Sequence, residues 1–252
     1  MTAVPGLWDP PEIGPGEEVG PPDFVGVGMQ RCGTTRWYDL LCLHPAVHHP
    51  PGRQKELHHF DHGWERPELA DPDLYDRYFP RPAGTLVGEW TPRYLSDPWT
   101  PALLARAAPR AKVLVLLRDP IDRVRSALAH ERGRHSAPPT WIVADAVARG
   151  RYDEHLDRLL RWFPSHQVCV QLYETCVDDP WGALARTHAF LGLDPVRPDD
   201  EHLQRRVNAV AGDPLDAHLV ERLREEYVPV VERLAARWPD LDLGRWHTTL
   251  GR

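Results

Sequence analysis

Two short apolar runs, Phe24-Val25-Gly26-Val27-Gly28 and Val113-Leu114-Val115-Leu116-Leu117, constrain this chain more than any other feature. Each is too short for a buried helix, and each leads through a polar turn into an amphipathic stretch. A strand that is apolar on both faces must be covered on both, which is the condition of a parallel sheet between helix layers. After the first run, Trp37, Tyr38, Leu40 and Leu41 mark a helix ending before Pro45, with Thr34 or Thr35 as the expected cap. After the second, Pro120 sits at the opening of a helix that bears Val124, Ala127 and Leu128. Residues 85–88 and 168–173 read as two more strands, the latter preceding a helix around 181–191, and further helices are predicted near 100–108, 141–163 and 216–238. The expected fold class is α/β, a P-loop-NTPase-like central parallel sheet with helices on both faces and ligands at the carboxyl ends of the strands.

Residues 1–22 hold Pro5, Pro10, Pro11, Pro15, Pro21 and Pro22 among four glycines, which predicts an extended leader ahead of a single domain over 23–252. A formal net charge of -7 argues against a protein that holds nucleic acid or an anionic bilayer by its overall field. No uninterrupted apolar run is long enough to span a membrane. Cys32, Cys42, Cys169 and Cys176 form no CxxC pair and no zinc-module spacing, so a reduced, cytoplasmic protein is expected. His58 and His62, at i and i+4 beside Asp61, lack a third ligand at fixed spacing, and no metal site is expected.

The positive charges have an unusual make-up. Of 30 basic residues only Lys55 and Lys112 are lysines, so almost every cation is a planar guanidinium suited to oxyanions. The loop Gly28-Met29-Gln30-Arg31-Cys32-Gly33-Thr34-Thr35 leaves a buried strand and enters a helix, where backbone N–H groups converge on an anion. Arg31 adds a charged fork, Gly33 permits close approach, and the threonine hydroxyls can donate to further oxygens. The Gly-Lys-Ser/Thr ending of a nucleotide P-loop is absent, since Thr34 follows Gly33 and no lysine is near in sequence. A second anion station is Arg118 through Ser126, with Arg118 ending its strand and Ser126 about two turns into the next helix. Two stations on one sheet imply a doubly phosphorylated ligand.

These segments, with Lys55-Glu56-Leu57-His58-His59-Phe60-Asp61 between them, resemble PAPS-dependent sulfotransferases, and heparan sulfate sulfotransferases and their bacterial relatives in particular. Gly88-Glu89-Trp90-Thr91-Pro92-Arg93-Tyr94, Leu172-Tyr173-Glu174 and Phe190-Leu191-Gly192-Leu193 are similar to later landmarks of the same group, in the same order. The resemblance implies that PAPS is the co-substrate and PAP its product. It implies that Arg31, Cys32, Gly33, Thr34 and Thr35 line the 5'-phosphosulfate site, and that Arg118 and Ser126 hold the 3'-phosphate; Arg31 is also expected to stabilise the leaving phosphosulfate by a hydrogen bond to its bridging oxygen. Glu56 matches the acidic residue proposed as general base, with His58 as the reserve base or an acceptor-orienting group. Asp61, Trp90 and Tyr94 are expected to face the acceptor. The sequence departs from the group in carrying Arg31 for a common lysine and Trp90 for another, and in lacking a late Lys-Gly-Arg loop, whose place 204–212 would take. Trp90 in place of lysine and the net charge of -7 argue against a highly sulfated polymer, which needs a basic groove, so the acceptor is expected to be a small molecule or carbohydrate offering a hydroxyl, less readily an amine. A metabolite kinase on a P-loop-like scaffold and a nucleotide-binding module without turnover are the alternatives.

Overall fold

The computed structural model describes residues 9–50, 54–132, 139–205 and 214–251. Among the described residues seven strands form two sheets: β1 (Glu17–Glu18), β2 (Phe24–Gly28), β3 (Val47–His48), β4 (Arg81–Pro82), β5 (Leu86–Trp90), β6 (Lys112–Leu117) and β7 (Val168–Leu172). The main sheet has five strands in the order β3-β5-β2-β6-β7, and every pairing in it is parallel. Both apolar runs are therefore neighbours at its centre, with Val25 opposite Val113 and Val113 opposite Val168. All five residues of β2 are buried, as its composition requires.

Helices Thr34–Cys42, Thr100–Ala107, Pro120–Arg132, Pro180–Leu191 and Ala217–Arg237 supply covering layers near the predicted positions. The predicted helix over 141–163 is two helices, Thr140–Ala148 and Tyr152–Leu159. They part at Gly150, where a Cβ would lie 2.5 Å from the ring of Tyr227. The predicted strand over 168–173 stops at Leu172, and a further helix, Tyr173–Asp178, begins at once. Neither threonine caps the first helix; Gly33 does so by its backbone, in the left-handed region at φ 79°. The expected leader is attached over part of its length: β1 pairs antiparallel with β4, and Glu17 meets His48 at 3.3 Å. Residues 1–8 lie outside the described residues. Among the described residues no helix is long and apolar enough to cross a membrane.

The glycines inside the central strands are there for contact. A Cβ on Gly26 would fall 1.9 Å from Cδ2 of Trp90, whose indole is wholly buried and donates to the Gly28 carbonyl at 3.2 Å. Two interior strands and a large aromatic meet there with no slack, so Gly26→Ala is expected to cost about 3 kcal/mol through forced overpacking. Urea denaturation reads this as a lowered midpoint at unchanged slope, and an unaltered midpoint would contradict the packing described.

Candidate active site

The turns after β2 and β6 lie side by side because their strands are adjacent and parallel. Arg118 donates from Nη1 to the Arg31 carbonyl at 3.4 Å, and Arg31 donates from Nε to Oγ of Ser126 at 3.1 Å. The two predicted anion stations thus form one continuous basic surface. Burial, followed by the neighbouring Arg118, pushes the Arg31 guanidinium below its ordinary value. The side chain of Arg31 extends to the second station, whereas the sequence reading had assigned it to the first.

Several nearby residues hold this geometry. Gly33 is required by its positive φ and by Tyr173, whose Cδ2 would stand 2.9 Å from a Cβ. The ring of Tyr173 lies under the Arg118 guanidinium, 4.6 Å from its centroid, a cation–π contact that fixes the fork. Asp119 accepts from the Ile121 N–H at 3.0 Å and from the Thr249 hydroxyl at 2.7 Å. Its own N–H donates to Glu174 at 2.9 Å, which gives the Leu172-Tyr173-Glu174 landmark a physical role. The Cys32 side chain does not face the ligand side: it is fully buried, and burial pushes its thiol up to about 12. Cys32 is therefore a packing residue of the turn, its N–H donating to the Met29 carbonyl at 3.2 Å.

The lysine absent from the loop arrives from elsewhere in the chain. Lys55 donates from Nζ to Oγ1 of Thr34 at 3.3 Å and of Thr35 at 3.1 Å, and pairs with Glu56 at 2.8 Å. Glu56 in turn meets Nε2 of His58 at 3.3 Å, and Nδ1 of His58 lies 2.8 Å from Asp61. Burial pulls the Glu56 carboxyl up, but hydrogen bonds from His58 and Lys55 outweigh it and hold the group below its ordinary value. Hydrogen bonds to Asp61 and then to Glu56 push His58 up to about 10. Both contacts favour the protonated imidazolium over the neutral ring that a general base requires, and they set His58 between the two carboxylates. Among the described residues, Arg31 at φ 70° and His58 at φ 54° are the non-glycine residues in the left-handed region, and both lie here, where such backbone cost tends to collect.

The segment bearing Lys55, Glu56 and His58 has little regular structure, and the end of β5 holds it in place. The Trp90 N–H donates to the Lys55 carbonyl at 2.9 Å, and the N–H groups of Leu57, His58 and His59 donate to Glu89 at 3.2 Å, Thr91 at 3.3 Å and the Tyr94 hydroxyl at 2.8 Å. Glu89 is buried and also accepts from the hydroxyls of Tyr75 at 2.7 Å and Thr91 at 2.5 Å. Trp90 and Tyr94, expected on the acceptor face, are both fully buried and serve this scaffold instead. Sequence reasoning missed Lys55, although a lysine beside Glu56 in so arginine-rich a chain was a signal, and it missed Glu89, which only the fold reveals. Of the segment expected to replace the late nucleotide loop, residues 206–212 lie outside the described residues.

Residues 21–213 match the sequence profile of the sulfotransferase domain. Heparan sulfate glucosamine 3-O-sulfotransferase 6 of Homo sapiens is 33% identical over 225 residues, covering 84% of this chain. Bifunctional heparan sulfate N-deacetylase/N-sulfotransferase 2 of Homo sapiens is 28% identical over 200 residues, covering 69% of it. The chain spans 62% of the length of the first relative and 22% of the second. Among solved structures, a sulfotransferase from Alicyclobacillus acidocaldarius superposes with a TM-score of 0.66 at 30% identity, covering 90% of this chain and 99% of that one. The sulfotransferase domain of the Synechococcus PCC 7002 olefin synthase shares the fold at 20% identity, with a TM-score of 0.56 over 90% of this chain and 98% of that one. The cytoplasmic placement expected from the cysteines is overturned by these relatives, since the heparan sulfate sulfotransferases are Golgi-lumenal enzymes. Unpaired cysteines that are buried or half-buried, as all four are, reflect packing and do not report a compartment. A profile match over most of its length and a relative 33% identical over 84% of it make this chain, with its arginine-bearing turns at one sheet edge, a member of the sulfotransferase domain family, whose sulfuryl donor is PAPS.

Proposed function

We propose that this protein transfers the sulfuryl group of PAPS to a hydroxyl of a carbohydrate or small-molecule acceptor. The observation that carries the reading is the convergence of Arg31, Arg118 and Ser126 with Thr34, Thr35 and Lys55 on one sheet edge. Three cations and three hydroxyls suit a ligand with anionic groups at two ends. Arg118, Arg31 and Ser126 would take the 3'-phosphate, and the turn at Gly33 with Thr34, Thr35 and Lys55 the 5'-phosphosulfate. Glu56 accepts the acceptor's hydroxyl proton as the oxygen–sulfur bond forms. The bond from sulfur to the bridging oxygen breaks, and its electron pair leaves on the phosphate of PAP. Lys55 and the threonine hydroxyls meet that growing charge, the role that the sequence suggests for Arg31. The acidic pair therefore has divided duties, with Glu56 taking the proton and Asp61 holding His58 in place.

Calorimetry tests the donor side. PAP is expected to bind without a divalent metal and more tightly than ATP with Mg²⁺, and Arg118→Ala to weaken PAP by about 10- to 100-fold, the loss of a charge-assisted contact. A preference for ATP with Mg²⁺ would instead favour a kinase.

A further inference from the structure

Beside Asp61 lies a cavity of about 230 Å³ lined by Asp61, His62, Trp64, Glu65, Arg93 and Trp99. Trp64 is 74% exposed, the highest value among the large apolar side chains described, and a residue so placed loses contact with water only when something covers it. Its ring lies 6.2 Å from that of Trp99 at an interplanar angle of 33°. Trp99 is held by a bond from its Nε1 to the Phe60 carbonyl at 3.0 Å, so one wall of the cavity is fixed and the other is presented to solvent. Asp61 belongs both to this cavity and to the chain of contacts through His58 to Glu56, so the cavity adjoins the segment that carries the candidate base.

We infer that Trp64 and Trp99 form the acceptor subsite and take the flat face of an uncharged, hydroxyl-bearing ring. This deepens the sulfotransferase reading and rests on it. The volume is small beside the roughly 300–1,000 Å³ of sites for drug-sized ligands, so it suits one ring and not a polymer segment. The local charge excludes a polyanion. Arg93 is engaged by Asp97 at 2.9 Å and Asp61 at 3.8 Å, and Glu65 adds a further carboxylate to the wall. Lys55 and His58 are paired with Glu56 and Asp61, so among the described residues these cations beside the cavity are each matched by a carboxylate.

The test is saturation-transfer NMR on the full chain with 4-hydroxyphenyl β-D-glucopyranoside, a neutral probe carrying both an aromatic and a sugar ring. Methyl β-D-glucopyranoside and phenol as separate probes show which ring the platform holds. The aryl glucoside is expected to bind, Trp64→Ala to weaken it about five- to tenfold, Trp64→Phe to retain most of the affinity, and a heparin oligosaccharide to leave the signal unchanged. Absence of glucoside binding, indifference to Trp64→Ala, or displacement by the heparin oligosaccharide would each overturn the subsite. Calorimetry with PAP on the same samples keeps the readings apart: intact PAP binding without glucoside binding refutes only the subsite, while loss of PAP binding refutes the donor assignment.

Discussion

Glu56→Gln is expected to lower kcat by about 10²- to 10⁴-fold while leaving PAP affinity unchanged, the signature of a lost general base. Glutamine keeps the size of the side chain and still offers an acceptor oxygen to Lys55 and His58, so the fold around it should survive. What it lacks is a site for the proton. The pH profile carries a second reading. Since Glu56 is held below the ordinary carboxylate value, it remains ionised throughout the neutral range, and activity should fall on the acid side only below that ordinary value. His58 keeps its proton until about pH 10, and its loss there would release the hold on Glu56 and end the plateau. A flat rate across neutral pH with decline at both extremes is the expected profile. A wild-type rate rising steeply through pH 6 to 7 would mean that a neutral histidine is the base, and Glu56 would lose its role.

Lys55→Ala should cost about 10²- to 10³-fold in kcat, the usual loss when a donor to developing charge is removed. Lys55 joins the two halves of the site: it touches both threonine hydroxyls of the donor turn and the carboxylate of the base. Its removal therefore has a second effect on Glu56. With this cation gone, one of the influences lowering the Glu56 carboxyl disappears, and the acid limb of the profile should move to higher pH. Lys55→Arg is not expected to rescue activity, because a planar fork cannot reach the same three oxygens from the same backbone position as a compact ammonium does. If the alanine variant keeps its kcat, or loses kcat/KM only through weaker PAP binding, Lys55 is a binding residue and not a partner of the leaving group.

How much of this was legible in the sequence varies with the range of the forces concerned. The central strands were readable because burial on both faces leaves a local mark, an unbroken apolar run, and the turns after them because glycine and helix starts are local too. The break at Gly150 and the extra helix after Leu172 were not, since the first depends on the ring of Tyr227 and the second directly continues a strand. Trp90 and Tyr94 were misplaced for a related reason. A motif shows which residues travel together, but an aromatic in a motif looks the same whether it faces a ligand or holds a backbone segment in place.

The sequence by itself determined four strands of the parallel sheet, the polar turns after two of them and the identity of the acidic loop, because each is set by residues adjacent in the chain. Only the tertiary structure decided which side chain serves which part of the site. It turned Arg31 toward Ser126, brought Lys55 to the threonines in place of the missing loop lysine, and set His58 between two carboxylates. The physical reason is that charge and hydrogen bonding depend on distances across the fold, and those distances are fixed by the register of parallel strands and by the buried Glu89 network that holds the loop against them.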